Sequence, residues 1–294
     1  MTQMLNTYQS RIMFLMILGS LLLLAGCGNS LGDTNVYLGG NVIEKDDRIL
    51  IDGRTNLIEG SRVTGTLFVN ENEVFFDTTE LVDNKGHFNM ELEHHQYGDA
   101  EVVITFDFYH SMQEEEILEH YGETGELMEG PYVYLAQHWD LERVYQKAEI
   151  RLPLLAQDEE NEHEFSEPEW GEPPEDAGDP RVWIEVDEVT EDGEFFYVEG
   201  RTNLLEGSAI TGFYSDRWGR EDETRVNPDG TFELKIEYTY SEEPYFTLRF
   251  SPYHNQWETI REAYGRDGEK LVGNLVERSN SHQSIEAIIE YEQD

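Results

Sequence analysis

Residues Gly53–Gly65 read GRTNLIEGSRVTG, and residues Gly200–Gly212 read GRTNLLEGSAITG. Ten of the thirteen positions are identical, and two of the three changes, Ile58/Leu205 and Val63/Ile210, exchange one apolar side chain for another. Two further blocks recur in the same order. NKGHFNMEL (Asn84–Leu92) matches PDGTFELKI (Pro228–Ile236), and the stretch Phe106–Gly130 matches Phe250–Gly273. Three blocks in register identify a tandem duplication of a unit of roughly 110 residues, a common domain size.

The apolar spacing within each unit is that of strands. Phe88, Met90 and Leu92 alternate with Asn89, Glu91 and Glu93, and Phe232, Leu234 and Ile236 do the same in the copy. Ile104, Phe106 and Phe108, then Phe246, Leu248 and Phe250, repeat the alternation. A period of two means one buried and one solvated face, which suits antiparallel strands in two packed sheets. Turn signals at Asp83-Asn84-Lys85-Gly86, Asn227-Pro228-Asp229-Gly230 and Asp192-Gly193 mark hairpins. One helical stretch interrupts each unit: Met112–Gly122, and its copy Gln256–Gly265, each ending at a glycine suited to close a helix. The expected fold class is all-β: two tandem antiparallel β-sandwiches of about seven strands. Each carries one short helix insertion, and an acidic, proline-rich linker joins them. The architecture resembles immunoglobulin-like domains, without their paired cysteines.

Composition sets further limits. The 294 residues hold 63 Asp and Glu against 20 Lys and Arg, a net charge of -43. Such a chain repels nucleic acid, which is excluded as a partner. The acidic residues concentrate in the segment 157–180, which has no basic residue and includes Pro168, Pro173, Pro174 and Pro180. Like charges extend a chain and prolines stiffen it, so this segment reads as a disordered or extended linker. The expected organisation is a leader over 1–26, a flexible tether over 27–40, one repeat over 41–156, the linker over 157–180, and the second repeat over 181–294.

The leader rests on residues near the N-terminus. A polar start ending at Arg11 precedes the apolar run Ile12–Gly26, and Cys27 follows. A charged start, an apolar core and small residues before a cut describe a secretory signal. Leu24-Ala25-Gly26-Cys27 resembles the lipobox of bacterial lipoproteins. That resemblance implies removal of the leader, lipid attachment at the Cys27 thiol, and residence on the extracellular face of a bacterial cytoplasmic membrane. Cys27 is the one cysteine in the chain, so no disulfide is expected within it.

Each candidate site has a competing architectural reading. In the opening motif, Asn56 and Glu59, with Asn203 and Glu206, would be paired polar ligands for a cation or a glycan. Alternatively they shape an ordered connection between strands, with Gly60 and Gly207 supplying open dihedrals and Leu57 and Leu204 plugging the end of the sandwich. The Thr-Asn-Leu-x-Glu-Gly pattern resembles immunoglobulin-like domains of Gram-positive surface lipoproteins, which implies no shared catalytic role. Trp218, between Arg217 and Arg220, would stack on a sugar ring while the arginines take an anionic group. The repeated Tyr109-His110 and Tyr253-His254 pairs read as packing at the junction of helix and strand. The glycine-rich phosphate loop, the nucleophile elbow and the zinc-protease signature are all missing from the sequence.

The expectation is therefore a non-catalytic, lipid-anchored protein that displays two interaction domains, with no cofactor and no metal site. Its expected partners are the membrane, through the lipid, and a cell-wall polymer or another envelope protein, with weak calcium binding left open. The alternatives are a carbohydrate, cell-wall or divalent-cation binding module, or an envelope hydrolase.

Overall fold

The structure, a computed structural model, describes residues 30–45, 47–69, 73–93, 100–109, 112–137, 143–154, 161–215, 221–238 and 245–291. The first repeat runs β1 (Leu38–Lys45), β2 (Arg48–Thr55), β3 (Arg62–Val69), β4 (Glu73–Leu81), β5 (His87–Glu93), β6 (Ala100–Phe106), α1 (Glu115–Tyr121), β7 (Val133–Gln137) and β8 (Val144–Leu154). A short strand, β9 (Glu162–Glu164), follows. The second repeat runs β10 (Ile184–Glu191), β11 (Phe195–Thr202), β12 (Ala209–Tyr214), β13 (Glu221–Arg225), β14 (Thr231–Glu237), β15 (Tyr245–Phe250), α2 (Glu258–Tyr264), β16 (Val276–Arg278) and β17 (Gln283–Glu290).

Both repeats are two-sheet, antiparallel, immunoglobulin-like sandwiches with one topology. One sheet has the order β5-β2-β1 and its copy β14-β11-β10; the other has the order β4-β3-β6-β8-β7 and its copy β13-β12-β15-β17-β16. The registers agree as well: Gly65 lies opposite Ile104, and Gly212 opposite Leu248. The alternation read from the sequence is the buried pattern of β5 and β14, where Phe88, Met90, Leu92, Phe232, Leu234 and Ile236 face inward. Each repeat has its own apolar core. Among the described residues no helix is long and apolar enough to cross a membrane.

Among the described residues each repeat has eight strands of its own, where about seven are expected from the sequence. The added one, β7 or β16, follows the helix and pairs with the last strand. The helices end at Gly122 and Gly265, both at positive φ, as the glycine spacing predicts.

The acidic segment takes a path that its composition does not reveal. β9 pairs with the free edge of β1, His163 Nε2 lies 2.9 Å from Glu44 Oε1, and Phe165 is buried in the first core. Trp170 donates its indole N–H to Pro131 O at 2.7 Å. From Gly171 the chain joins the second repeat: its amide donates to Asp229 Oδ2 at 3.0 Å. A count of charges and prolines reads this stretch as extended linker, but the β9 pairing, Phe165 and Trp170 hold residues 161–170 on the first repeat. Burying one such ring is worth about 1.5–3 kcal/mol.

Candidate functional site

The repeated motif builds a corner, and it builds the same corner twice. As β2 ends, Thr55 Oγ1 donates to Tyr37 O at 2.6 Å, and Thr202 Oγ1 to Trp183 O at 2.7 Å. The next residue clamps the strand entering the repeat. Asn56 accepts from Tyr37 N–H and donates to Asn35 O, both at 2.7 Å; Asn203 accepts from Trp183 N–H at 3.0 Å and donates to Arg181 O at 3.2 Å. Both amide side chains are buried, and Leu57 and Leu204 fill the core beneath them. The helix closes the corner from the other side: Tyr121 OH accepts from Ile58 N–H at 3.2 Å and Tyr264 OH from Leu205 N–H at 3.0 Å. Burial pushes both phenols up to about 12, so they are neutral and hold their protons at any physiological pH. Gly60 and Gly207 take φ of 88° and 79°, a region costly for other residues.

Asn56 is therefore committed to backbone partners, Asn203 to backbone partners and the Asp176 carboxylate at 3.1 Å, and neither shares a site with its neighbouring glutamate. Glu59 is exposed. Glu206 is half-buried and accepts from Leu135 N–H of β7 at 2.7 Å, which joins the two repeats. Burial pushes its carboxyl above the ordinary range. Trp218, Arg217 and Arg220, like Cys27 and His110, lie outside the described residues. Among the described residues no group of three or more His, Cys, Asp or Glu side chains stands close enough to hold a metal ion.

A cleft of about 580 Å³ opens between the repeats beside the Glu206–Leu135 contact. The outward side of β8 forms one wall with Lys147, Glu149 and Arg151, and Tyr134 of β7 stands beside them. Glu149 is buried; Lys147 Nζ pairs with one of its oxygens and Arg151 Nε with the other, at 2.8 Å. Burial alone raises a carboxyl, yet the two cations outweigh it and hold Glu149 below the usual carboxylate range. The facing wall carries Arg225, Glu233 and Lys235, with Trp257 behind Arg225. The Arg225 guanidinium lies 4.8 Å from the Trp257 ring centroid and donates to Gly207 O at 2.7 Å. Burial, then the nearby Glu199 and Asp222, push the Glu233 carboxyl up.

Sequence reasoning did not find this cleft. Its signal was present as the Lys147-x-Glu149-x-Arg151 alternation on β8, which has no cationic equivalent in the second repeat. Which of these residues face one another depends on how the repeats dock, and no local pattern encodes that.

No protein-family model and no curated protein matches the chain. Solved structures with some likeness include a two-domain fibronectin type-III segment from chicken tenascin, at 7% identity over 87% of this chain and all of that one, with a TM-score of 0.19. Another is a Ca2+-stabilized adhesin of an Antarctic bacterium that binds ice, at 13% identity over 74% of this chain, with a TM-score of 0.18. The match spans 44% of the adhesin chain.

Proposed function

We propose that this chain is a non-catalytic, lipid-anchored interaction protein that displays two immunoglobulin-like sandwiches at a bacterial cell surface. The observation that carries the reading is the duplicated corner. Its polar side chains, Thr55, Asn56, Thr202 and Asn203, are all spent on internal hydrogen bonds. What the duplication kept alike in these four side chains is thus a scaffold. The Leu24–Cys27 lipobox supports the anchor, and its acyl chains would hold the protein where a second lipid signal makes the attachment stable.

Two measurements test the reading. In cells fed a labelled fatty acid, the full chain takes up label and sediments with membranes, and Cys27→Ala loses both; label retained by Cys27→Ala overturns the anchor. Purified full chain is then mixed with isolated cell-wall sacculi and with wall-stripped membranes, and retention on either supports an interaction role. No retention on either overturns it.

A further inference from the structure

Comparison of the two repeats, position by position, separates what the fold needs from what one copy has alone. The sheet registers align Lys147 with Ser284 and Arg151 with Ile288, while the strands after the helices align Tyr134 with Glu277. On the other wall, Arg225 aligns with Leu81, Lys235 with Glu91, and Trp257 with Glu114, the residue before each helix. All six cationic or aromatic residues of the cleft are neither cationic nor aromatic in the other copy. The counterparts Leu81 and Ile288 are instead exposed to solvent. The cations and aromatic rings thus belong to the two faces that meet, in a chain with only 20 basic residues against 63 acidic ones.

Three of the four cations bond within their own repeats. Lys147 and Arg151 pair with Glu149 and Glu101, and Arg225 bonds Gly207 O and Asn255 O, each within its own repeat. Among the described residues the hydrogen bonds that cross are Leu135 N–H to Glu206 and, from the acidic segment, Gly171 N–H to Asp229. The charged side chains line open space of a size, about 580 Å³, within the range of small-ligand clefts.

We infer that the cleft between the repeats binds a short, uncharged oligosaccharide. The inference rests on the reading of the chain as an interaction protein, and names its ligand class. Four cations, Lys147, Arg151, Arg225 and Lys235, face four carboxyl groups, Glu149, Glu206, Asp222 and Glu233, so the lining selects neither an anion nor a cation. Donors and acceptors stand side by side, which matches hydroxyl groups that donate and accept at once. The half-buried carboxyl of Glu206 accepts from the Leu135 N–H, and sugar hydroxyls supply donors to its remaining lone pairs. A polyanion is disfavoured by the charge of -43, and the charged walls give a lipid tail no apolar surface to cover.

The test is calorimetric titration of the full chain, without its leader, with cellotetraose and N-acetylchitotetraose, and with polygalacturonate as the anionic control. At least one neutral tetrasaccharide binds and polygalacturonate does not. Thr224→Trp, on edge strand β13, fills the cleft from a half-buried position and abolishes binding with the melting temperature unchanged. Lys235→Ala, which removes a charged donor, weakens binding about tenfold. Binding that survives Thr224→Trp, or wild-type chain that binds neither tetrasaccharide, overturns the inference. Retention on sacculi or membranes in the presence of either result leaves the interaction reading standing, so the two failures are distinguishable.

Discussion

The backbone amide of Leu135 donates to the carboxylate of Glu206 at 2.7 Å, although the two residues belong to different repeats. The equivalent glutamate of the first repeat, Glu59, is exposed. One motif position thus has two fates: solvated in one copy, and capping the open edge of a neighbouring sheet in the other. Edge amides such as that of Leu135 invite pairing with foreign strands, and a carboxylate placed over one blunts that tendency.

This contact makes docking of the repeats sensitive to acid. Burial raises the Glu206 carboxyl above its ordinary value, and the Leu135 N–H offsets only part of the rise. A group whose value is raised on docking contributes fully while protonated, and that contribution is lost as pH climbs through the raised value. Small-angle scattering between about pH 4 and 7 will show a more compact particle at the acid end. Glu206→Gln will flatten the profile; an unchanged slope in that variant would remove Glu206 as its origin.

The corner amides make a prediction about stability. Asn56→Ala or Asn203→Ala strands buried backbone groups, at about 1–3 kcal/mol each. Calorimetry will show the loss in the repeat that carries the change. Equal melting of variant and parent would mean that the clamp is not needed.

The two tyrosines supply a milder variant of the same experiment. Tyr121→Phe and Tyr264→Phe keep the rings in the core and remove only the hydroxyls that accept from Ile58 and Leu205. Each should cost about 0.5–1.5 kcal/mol. Hydrogen exchange at the Ile58 and Leu205 amides should speed up in the matching variant alone.

The buried triad on β8 predicts a larger effect. Glu149 is depressed by its two cations, so its contribution is present at neutral pH and fades as pH falls through the carboxylate range. Lys147→Met leaves Glu149 Oε2 to the 3.4 Å bond from the Thr105 hydroxyl, and removing one partner of a buried pair costs about 3–5 kcal/mol. Chemical denaturation at neutral pH will register the loss, and at acid pH the gap between variant and parent will narrow.

The sandwich class was legible because alternation such as Phe88-x-Met90-x-Leu92 reports a half-buried strand directly, and the duplication let each copy check the other. The architectural reading of Asn56 was legible too, since its type and its place after a strand match turn chemistry. Three things were not. β7 is partly exposed along its whole length, so burial leaves no alternation to read. β9 is three residues inside a run of acid, visible only once β1 presents an open edge. The cleft required knowing that Lys147 and Lys235, 88 positions apart, line one space.

β9 and Trp170 have a mechanical consequence. The 24 residues from 157 to 180 would span up to about 80 Å if pulled straight, yet Trp170 is held by the first repeat and the next residue, Gly171, by the second. Length is thus kept in reserve. A tensile load across the molecule meets the Leu135–Glu206 and Gly171–Asp229 bonds, a three-residue strand, one buried phenylalanine and one indole bond before it meets either sandwich. These release first and pay out chain, so both sandwiches stay folded while the span grows, as in a shock absorber with a low threshold.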